Sequence, residues 1–156
     1  MRIYLVQHGE PVPKEINPDR PLSEKGRGDV EKAARFLARL KVSVDKVYHS
    51  GKTRAEQTAQ ILAPSVRPQG AAEFHQGLSP LDPVEPIAEE LSKIDKDVLI
   101  AGHLPFLNKL AGFLLACSED TDVIAFRQGG IVCLERDENN IWRVCWMVTP
   151  DIAGSK

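Results

Sequence analysis

The sequence predicts an α/β fold: a three-layer arrangement with a mostly parallel central sheet, helices on both faces and a C-terminal antiparallel hairpin. Three observations carry this. Short apolar runs alternate with segments of helical period, as in Ile3–Val6, then Val30–Leu40, then Lys46–His49. The runs Ile3-Tyr4-Leu5-Val6 and Val98-Leu99-Ile100-Ala101 are continuous rather than alternating, which marks strands covered on both faces. The tail instead carries three strand-like pieces with few helical signals between them.

Each element has its own signal. Residues 10–22 hold Pro11, Pro13, Pro18 and Pro21 and read as a loop. Ser23 can cap the helix that follows, in which Val30, Ala33, Ala34, Leu37 and Leu40 recur on one face. Gly26 and Gly28 weaken its first turn. Thr53–Leu62 is helical and closed by Pro64. Residues 64–86, with five prolines, show no clear period. Ile87, Leu91 and Ile94 mark a short helix. Pro105 sits where a first helical turn tolerates it, ahead of the apolar helix Phe106–Leu115. Val123–Arg127, Ile131–Arg136 and Trp142–Val148 read as strands, with Asn139-Asn140 turning between the last two. By alternation, Trp142 and Trp146 fall on one side of their strand and serve packing. Cys133 and Cys145 are neighbours across the hairpin, both read as buried free thiols.

Length and composition bound the function. A chain of 156 residues is expected to form one domain, 1–156. The formal net charge of −2 argues against a general nucleic-acid binder, but leaves room for a local anion pocket. The three cysteines have no CxxC spacing, the N-terminus has no secretory pattern and no apolar run is long enough for a membrane span. The expected setting is cytoplasmic, with no nucleic-acid or membrane partner. No metal-ligand cluster stands out and no cofactor is expected. Glu89-Glu90 and Glu119-Asp120 read as solvated charge.

Chemistry points to the strand ends. In open sheets of this kind, ligands bind beyond the carboxyl ends of the strands. His8 and His103 lie at two such ends, beside Gly9 and Gly102, which let backbone approach a ligand closely. His49 ends a third strand and reads as a loop-shaping residue. The segment Ser50-Gly51-Lys52-Thr53-Arg54 then opens a helix, and Arg54 in its first turn supplies a bidentate anion donor.

These segments together resemble the histidine phosphatase, or phosphoglycerate mutase-like, superfamily. Val6-Gln7-His8-Gly9 is similar to its Arg-His-Gly segment, and Leu22-Ser23-Glu24-Lys25-Gly26 to its Leu-Thr-x-x-Gly segment. Ser50–Thr58 is similar to its Ser-Pro-x-x-Arg-x-x-Gln-Thr segment, with Gly51 in place of proline, and Gly102–Pro105 to its Gly-His-x-Pro segment. The short stretch between Thr58 and Val98 is most like the SixA-type phosphohistidine phosphatases. The resemblance implies a metal-independent phosphatase in which His8 is the nucleophile, Arg54 grips the phosphoryl oxygens and His103 donates hydrogen bonds to them. Gln7, Gly9 and Lys52 join Arg54 and His103 as expected phosphate-binding residues.

Two departures from the family matter. Gln7 stands where the family has arginine, so the pocket loses a charge; Lys52 is the nearest compensating cation, with Lys14, Arg20 and Lys25 as loop alternatives otherwise read as surface. The family's glutamate after the second helix falls at Gly77, leaving Glu73, His75 and Asp82 as candidate general acids. A missing acid matters less for a phosphorylated imidazole, whose ring nitrogen protonates near neutral pH. The expected substrate is therefore a phosphohistidine protein. The alternatives are a weakly active or inactive phosphate- or phosphoprotein-binding module and a phosphatase of small phosphorylated metabolites.

Overall fold

The computed structural model describes residues 1–154. The elements run β1 (Arg2–Gln7), α1 (Glu24–Arg39), β2 (Lys46–His49), α2 (Thr53–Val66), β3 (Glu73–Phe74), α3 (Glu85–Lys93), β4 (Val98–Gly102), α4 (Phe106–Ala116), β5 (Ile131–Arg136), β6 (Trp142–Val148) and α5 (Pro150–Ala153). The six strands form one sheet in the order β3-β2-β4-β1-β5-β6. The β3-β2, β2-β4 and β4-β1 pairs are parallel, whereas β5 runs against β1 and β6 against β5. This is the α/β architecture expected from the sequence.

Two apolar layers hold the sheet between helices. On one face Tyr4, Val6, Val47, Leu99 and Cys133 pack with Val30, Ala33, Leu37, Ala59, Leu62 and Ala153 from α1, α2 and α5. On the other, Ile3, Leu5, Ile100, Val132 and Leu134 pack with Ile87, Leu91, Phe106, Leu107 and Leu110 from α3 and α4. Every residue of β4 is buried, which is why its sequence lacks alternation. Burying each such Leu or Ile contributes about 1.5–3 kcal/mol.

The structure corrects several expectations. Val123–Arg127 is not a strand. Its alternation is real, since Ile124 and Phe126 are buried while Val123 is exposed, but these side chains plug the second layer without a partner strand. The helix α2 does not stop at Leu62; it runs through Pro64 to Val66. Proline in the last turn leaves only the Gln60 carbonyl without its helical donor, and Gln60 is exposed. Residues 64–86 contribute the two-residue β3, and α5 follows the hairpin; both are too short to show a period.

The tryptophans do not share a side. Cys133 pairs with Trp146, yet Leu134 pairs with Val144, so Cys145 is the extra residue of a bulge. The bulge reverses the alternation. Trp146 packs on Tyr4 and Phe36 in the first layer, with ring centroids 6.0 and 5.7 Å away, whereas Trp142 joins the second layer under Arg136. The same bulge explains the cysteines. Cys133 is buried, and the adjacent Cys145 is exposed rather than buried.

Candidate active site

Strand order creates the site. β2, β4 and β1 are consecutive in the sheet, and their carboxyl ends lead into Ser50, His103 and His8. The last rung between β1 and β4 is the His8 N–H donating to the Gly102 carbonyl at 2.9 Å. The two imidazoles therefore face each other, with ring centroids 5.0 Å apart and planes inclined by 54°. His8 is 8% exposed and His103 1%.

His8 is held in one tautomer. Its Nδ1 lies 2.7 Å from the Gly9 carbonyl oxygen, which can only accept, so Nδ1 carries the proton. Nε2 then keeps a free lone pair, and the Arg54 Nε–H donates towards it at 3.4 Å. Burial pushes the His8 pKa down to about 4, with Arg54 and Arg20 adding to the fall against the Gly9 bond. At neutral pH this is an uncharged imidazole with a nucleophilic nitrogen under a guanidinium.

Three sequence segments interlock to fix that geometry. Thr58 Oγ1 donates to the Arg54 carbonyl at 2.7 Å and accepts the Gly9 N–H at 3.1 Å, tying the first turn of α2 to the exit of β1. Gln57 Oε1 accepts the Leu22 N–H at 2.7 Å. Ser23 caps α1 by accepting from the Gly26 N–H and donates its hydroxyl to Glu10 Oε2 at 2.7 Å. Gly26 must be glycine, because a Cβ there would stand 2.1 Å from the Glu10 carbonyl oxygen. Gly51, which takes the place of the family's proline, has φ +87°, a conformation closed to proline. The Gly51 N–H donates to His49 Nδ1 at 3.1 Å, so His49 braces this turn.

The remaining expected residues separate into two groups. Gly9 lies in the site, but both of its backbone groups are taken, by Thr58 and by His8. It orients His8 rather than presenting a free N–H to an anion. Gln7 is half-buried; its Oε1 is shielded from solvent and has no hydrogen-bond partner among the described residues, and its carbonyl accepts the Gly129 N–H at 2.9 Å. Lys52 is the exposed N-cap of α2. The pKa of His103 is pushed down to about 3 by burial first, then by His8, Arg54 and Lys52, so the Lys52 charge reaches the pocket. Arg54 itself is lowered by burial and by Arg20.

None of the three acid candidates bonds to His8, Arg54 or His103. Glu73 pairs with Lys46 at 3.4 Å. His75 is fixed by Gln76 O at 2.7 Å and Glu90 Oε2 at 2.8 Å, over the Tyr48 ring. Asp82 Oδ2 accepts the Ser79 N–H at 2.8 Å within its own loop. Among the described residues, no group of three or more His, Cys, Asp or Glu side chains is placed to hold a metal ion.

Sequence reasoning undervalued two residues. Arg20, taken for a surface residue, acts on both His8 and Arg54. It leaves the Pro-rich loop at φ +49° with its Nε donating to the Val12 carbonyl at 3.4 Å. The loop's only signal is that it follows His8 directly. Ser50, which the sequence marks only as part of a motif, bonds His103 through Oγ···Nε2 at 2.6 Å. Its signal was its position, the third polar residue at a strand end.

Comparison with known proteins agrees with this fold. Residues 3–79 match the model of the Histidine phosphatase superfamily (branch 1). The chain is 26% identical over 157 residues to the phosphohistidine phosphatase SixA of Escherichia coli (strain K12), covering 96% of this chain and 94% of the relative. The structure of the protein histidine phosphatase SixA complexed with tungstate superposes with a TM-score of 0.83 at 24% identity, over 97% of this chain and 98% of that one. A putative alpha-ribazole-5'-P phosphatase from E. coli K-12 gives 0.78 at 17% identity, over 97% and 98%. The chain is thus similar to the histidine phosphatase superfamily across residues 3–79 and has a SixA-like fold throughout.

Proposed function

We propose that this protein is a metal-independent phosphatase that works through a phosphohistidine on His8, and that its substrate is a protein phosphorylated on histidine. The observation that carries the reading is the fixed tautomer of His8, whose unprotonated Nε2 lies 3.4 Å from Arg54 Nε. Nε2 attacks phosphorus in line, forming an N–P bond as the bond to the leaving group breaks. Arg54, with Arg20 and Lys52 nearby, offsets charge on the phosphoryl oxygens, and His103 donates a hydrogen bond to them. A water then attacks phosphorus, the N–P bond returns its electrons to Nε2, and phosphate leaves. Splitting one displacement into two lowers each barrier.

Two things support phosphohistidine as the substrate. The E. coli relative is named a phosphohistidine phosphatase. Glu73, His75 and Asp82 are all engaged elsewhere, so an alkoxide leaving group would find none of them at hand. A phosphorylated imidazole leaves as a neutral ring once its other nitrogen is protonated.

The test is to offer phosphohistidine, p-nitrophenyl phosphate and a sugar phosphate, and to trap acid-labile phosphoenzyme. Label and turnover are expected with the first two, with phosphohistidine fastest, and His8→Ala is expected to abolish both. A wild-type protein that binds phosphate but never labels or releases it would replace this reading with that of a phosphate-binding module. Preference for the sugar phosphate would replace it with that of a small-molecule phosphatase.

A further inference from the structure

His103 has two ring nitrogens in different surroundings. Nε2 lies 2.6 Å from Ser50 Oγ. Nδ1 is buried and, among the described residues, has no hydrogen-bond partner. An uncharged imidazole carries one proton, so the Ser50 contact decides which nitrogen donates.

Counting donors and acceptors selects one arrangement. Ser50 Oγ accepts the Lys52 N–H at 3.3 Å. If Nε2–H donated to Ser50, the serine hydroxyl would keep a proton with no acceptor, at a residue only 6% exposed. Nδ1 would also be left as an unpaired buried acceptor, for a total of two orphaned groups. If the Ser50 hydroxyl donates to Nε2, both partners are satisfied and only an Nδ1–H remains. Each orphaned buried group is costly, so the arrangement with one rather than two is favoured.

We infer that Ser50 is a positioning residue that fixes His103 as the Nδ1–H tautomer, making an uncharged imidazole a hydrogen-bond donor to the phosphoryl group on or near His8. The purpose of this donor rests on the phosphatase reading above. The orphaned Nδ1–H is then the group that phosphoryl oxygen, an acceptor only, completes. The opposite tautomer would turn a lone pair towards those oxygens and repel them. The burial that keeps His103 neutral, with a pKa pushed down to about 3, makes the tautomer matter, since a cationic ring would donate from both nitrogens whatever Ser50 did.

Nitrogen-15 NMR of histidine-labelled protein at neutral pH reads the tautomer without any turnover. In the wild type, His103 is expected to be protonated at Nδ1 and bare at Nε2, and inorganic phosphate is expected to shift the Nδ1–H signal without moving the proton. Ser50→Ala is expected to bring up the Nε2–H form, weaken phosphate binding and slow labelling of His8 by about 10²-fold, the scale of losing one preorganised donor. Ser50→Thr, which keeps the hydroxyl, is expected to restore the wild-type tautomer and most of the rate. A wild-type His103 protonated at Nε2, an unchanged tautomer in folded Ser50→Ala, or no phosphate shift at His103 would each overturn the inference. Absence of phosphoenzyme in every variant would instead count against the phosphatase reading, leaving the tautomer and phosphate results to decide the role of Ser50.

Discussion

Two sides of the pocket are built to different standards. On the side of β1, α1 and α2, nearly every polar group has a second job. Thr58 joins Gly9 to Arg54, Gln57 holds Leu22, and Ser23 joins Gly26 to Glu10. On the side of residues 73–82, the titratable groups are tied to one another or to their own loop: Glu73 to Lys46, His75 to Glu90, Asp82 to Ser79. The first side fixes His8, the proposed nucleophile, and the cations beside it; the second offers no bonded acid to the histidines. The contrast suits a site that accepts a phosphoryl group readily and relies on the substrate to supply a good leaving group.

Arg54→Ala strikes the well-built side directly. It removes the donor nearest His8 Nε2 and is expected to slow phosphoenzyme formation by about 10²–10³-fold, as loss of an oxyanion donor does elsewhere. Single-turnover labelling measures this. A loss below about tenfold would mean that Arg20 carries the phosphoryl charge instead.

Acid pH acts on the same side through stability. Burial holds His8 near 4 and His103 near 3, below the ordinary 6.5 of the unfolded chain. The unfolded state therefore binds protons first. The stabilising contribution is complete above about pH 6.5 and is lost as pH falls to the folded values, by roughly 3 kcal/mol for His8 and roughly 5 kcal/mol for His103. Denaturant midpoints from pH 8 to 4 should fall, and His8→Asn should flatten the curve. A wild-type midpoint independent of pH would show that the histidines titrate normally.

Gln7→Arg sharpens the comparison by adding the charge the family has and this chain lacks. A charge-assisted bond contributes about 1.5–3 kcal/mol, so phosphate affinity or labelling rate should rise roughly tenfold. Arg20 already acts on His8 and Arg54, which keeps the gain below the loss from Arg54→Ala. If Arg20→Ala makes the Gln7→Arg gain larger, the two cations share one task; equal gains in both backgrounds would separate them.

The legible parts of the molecule are those where one local rule decides. The runs of β1 and β4 are apolar because both faces are covered, and His8 and His103 are visible because they end those runs. What was not legible depends on contacts far along the chain. The bulge at Cys145 shows only when β5 is laid beside β6, and it alone puts Trp142 and Trp146 on opposite faces. Ile124 and Phe126 alternate like a strand but find no ladder. The two-residue β3 carries no period at all. Ser50 meets His103, and Arg20 reaches His8 and Arg54, only because the strand order β2-β4-β1 brings those strand ends together.

The smallest effect expected is on the sparsely built side, and it tests the leaving-group argument most sharply. Asp82→Asn keeps an oxygen to accept from Ser79, and Glu73→Gln removes only an exposed pair with Lys46. Neither should change phosphohistidine turnover more than about twofold, because exposed pairs of this kind contribute roughly 0–1 kcal/mol. His75 is the exacting case, since Glu90→Gln frees its Nε2 from a carboxylate without removing the ring. If the loop then swings His75 towards the pocket, hydrolysis of a sugar phosphate should rise while phosphohistidine turnover stays level. If instead any of these changes slows phosphohistidine turnover tenfold or more with the fold intact, an acid from residues 73–82 reaches the leaving group during the reaction. The two sides would then be one catalytic unit, and substrate preference would have to come from the shape of the pocket mouth rather than from a missing proton.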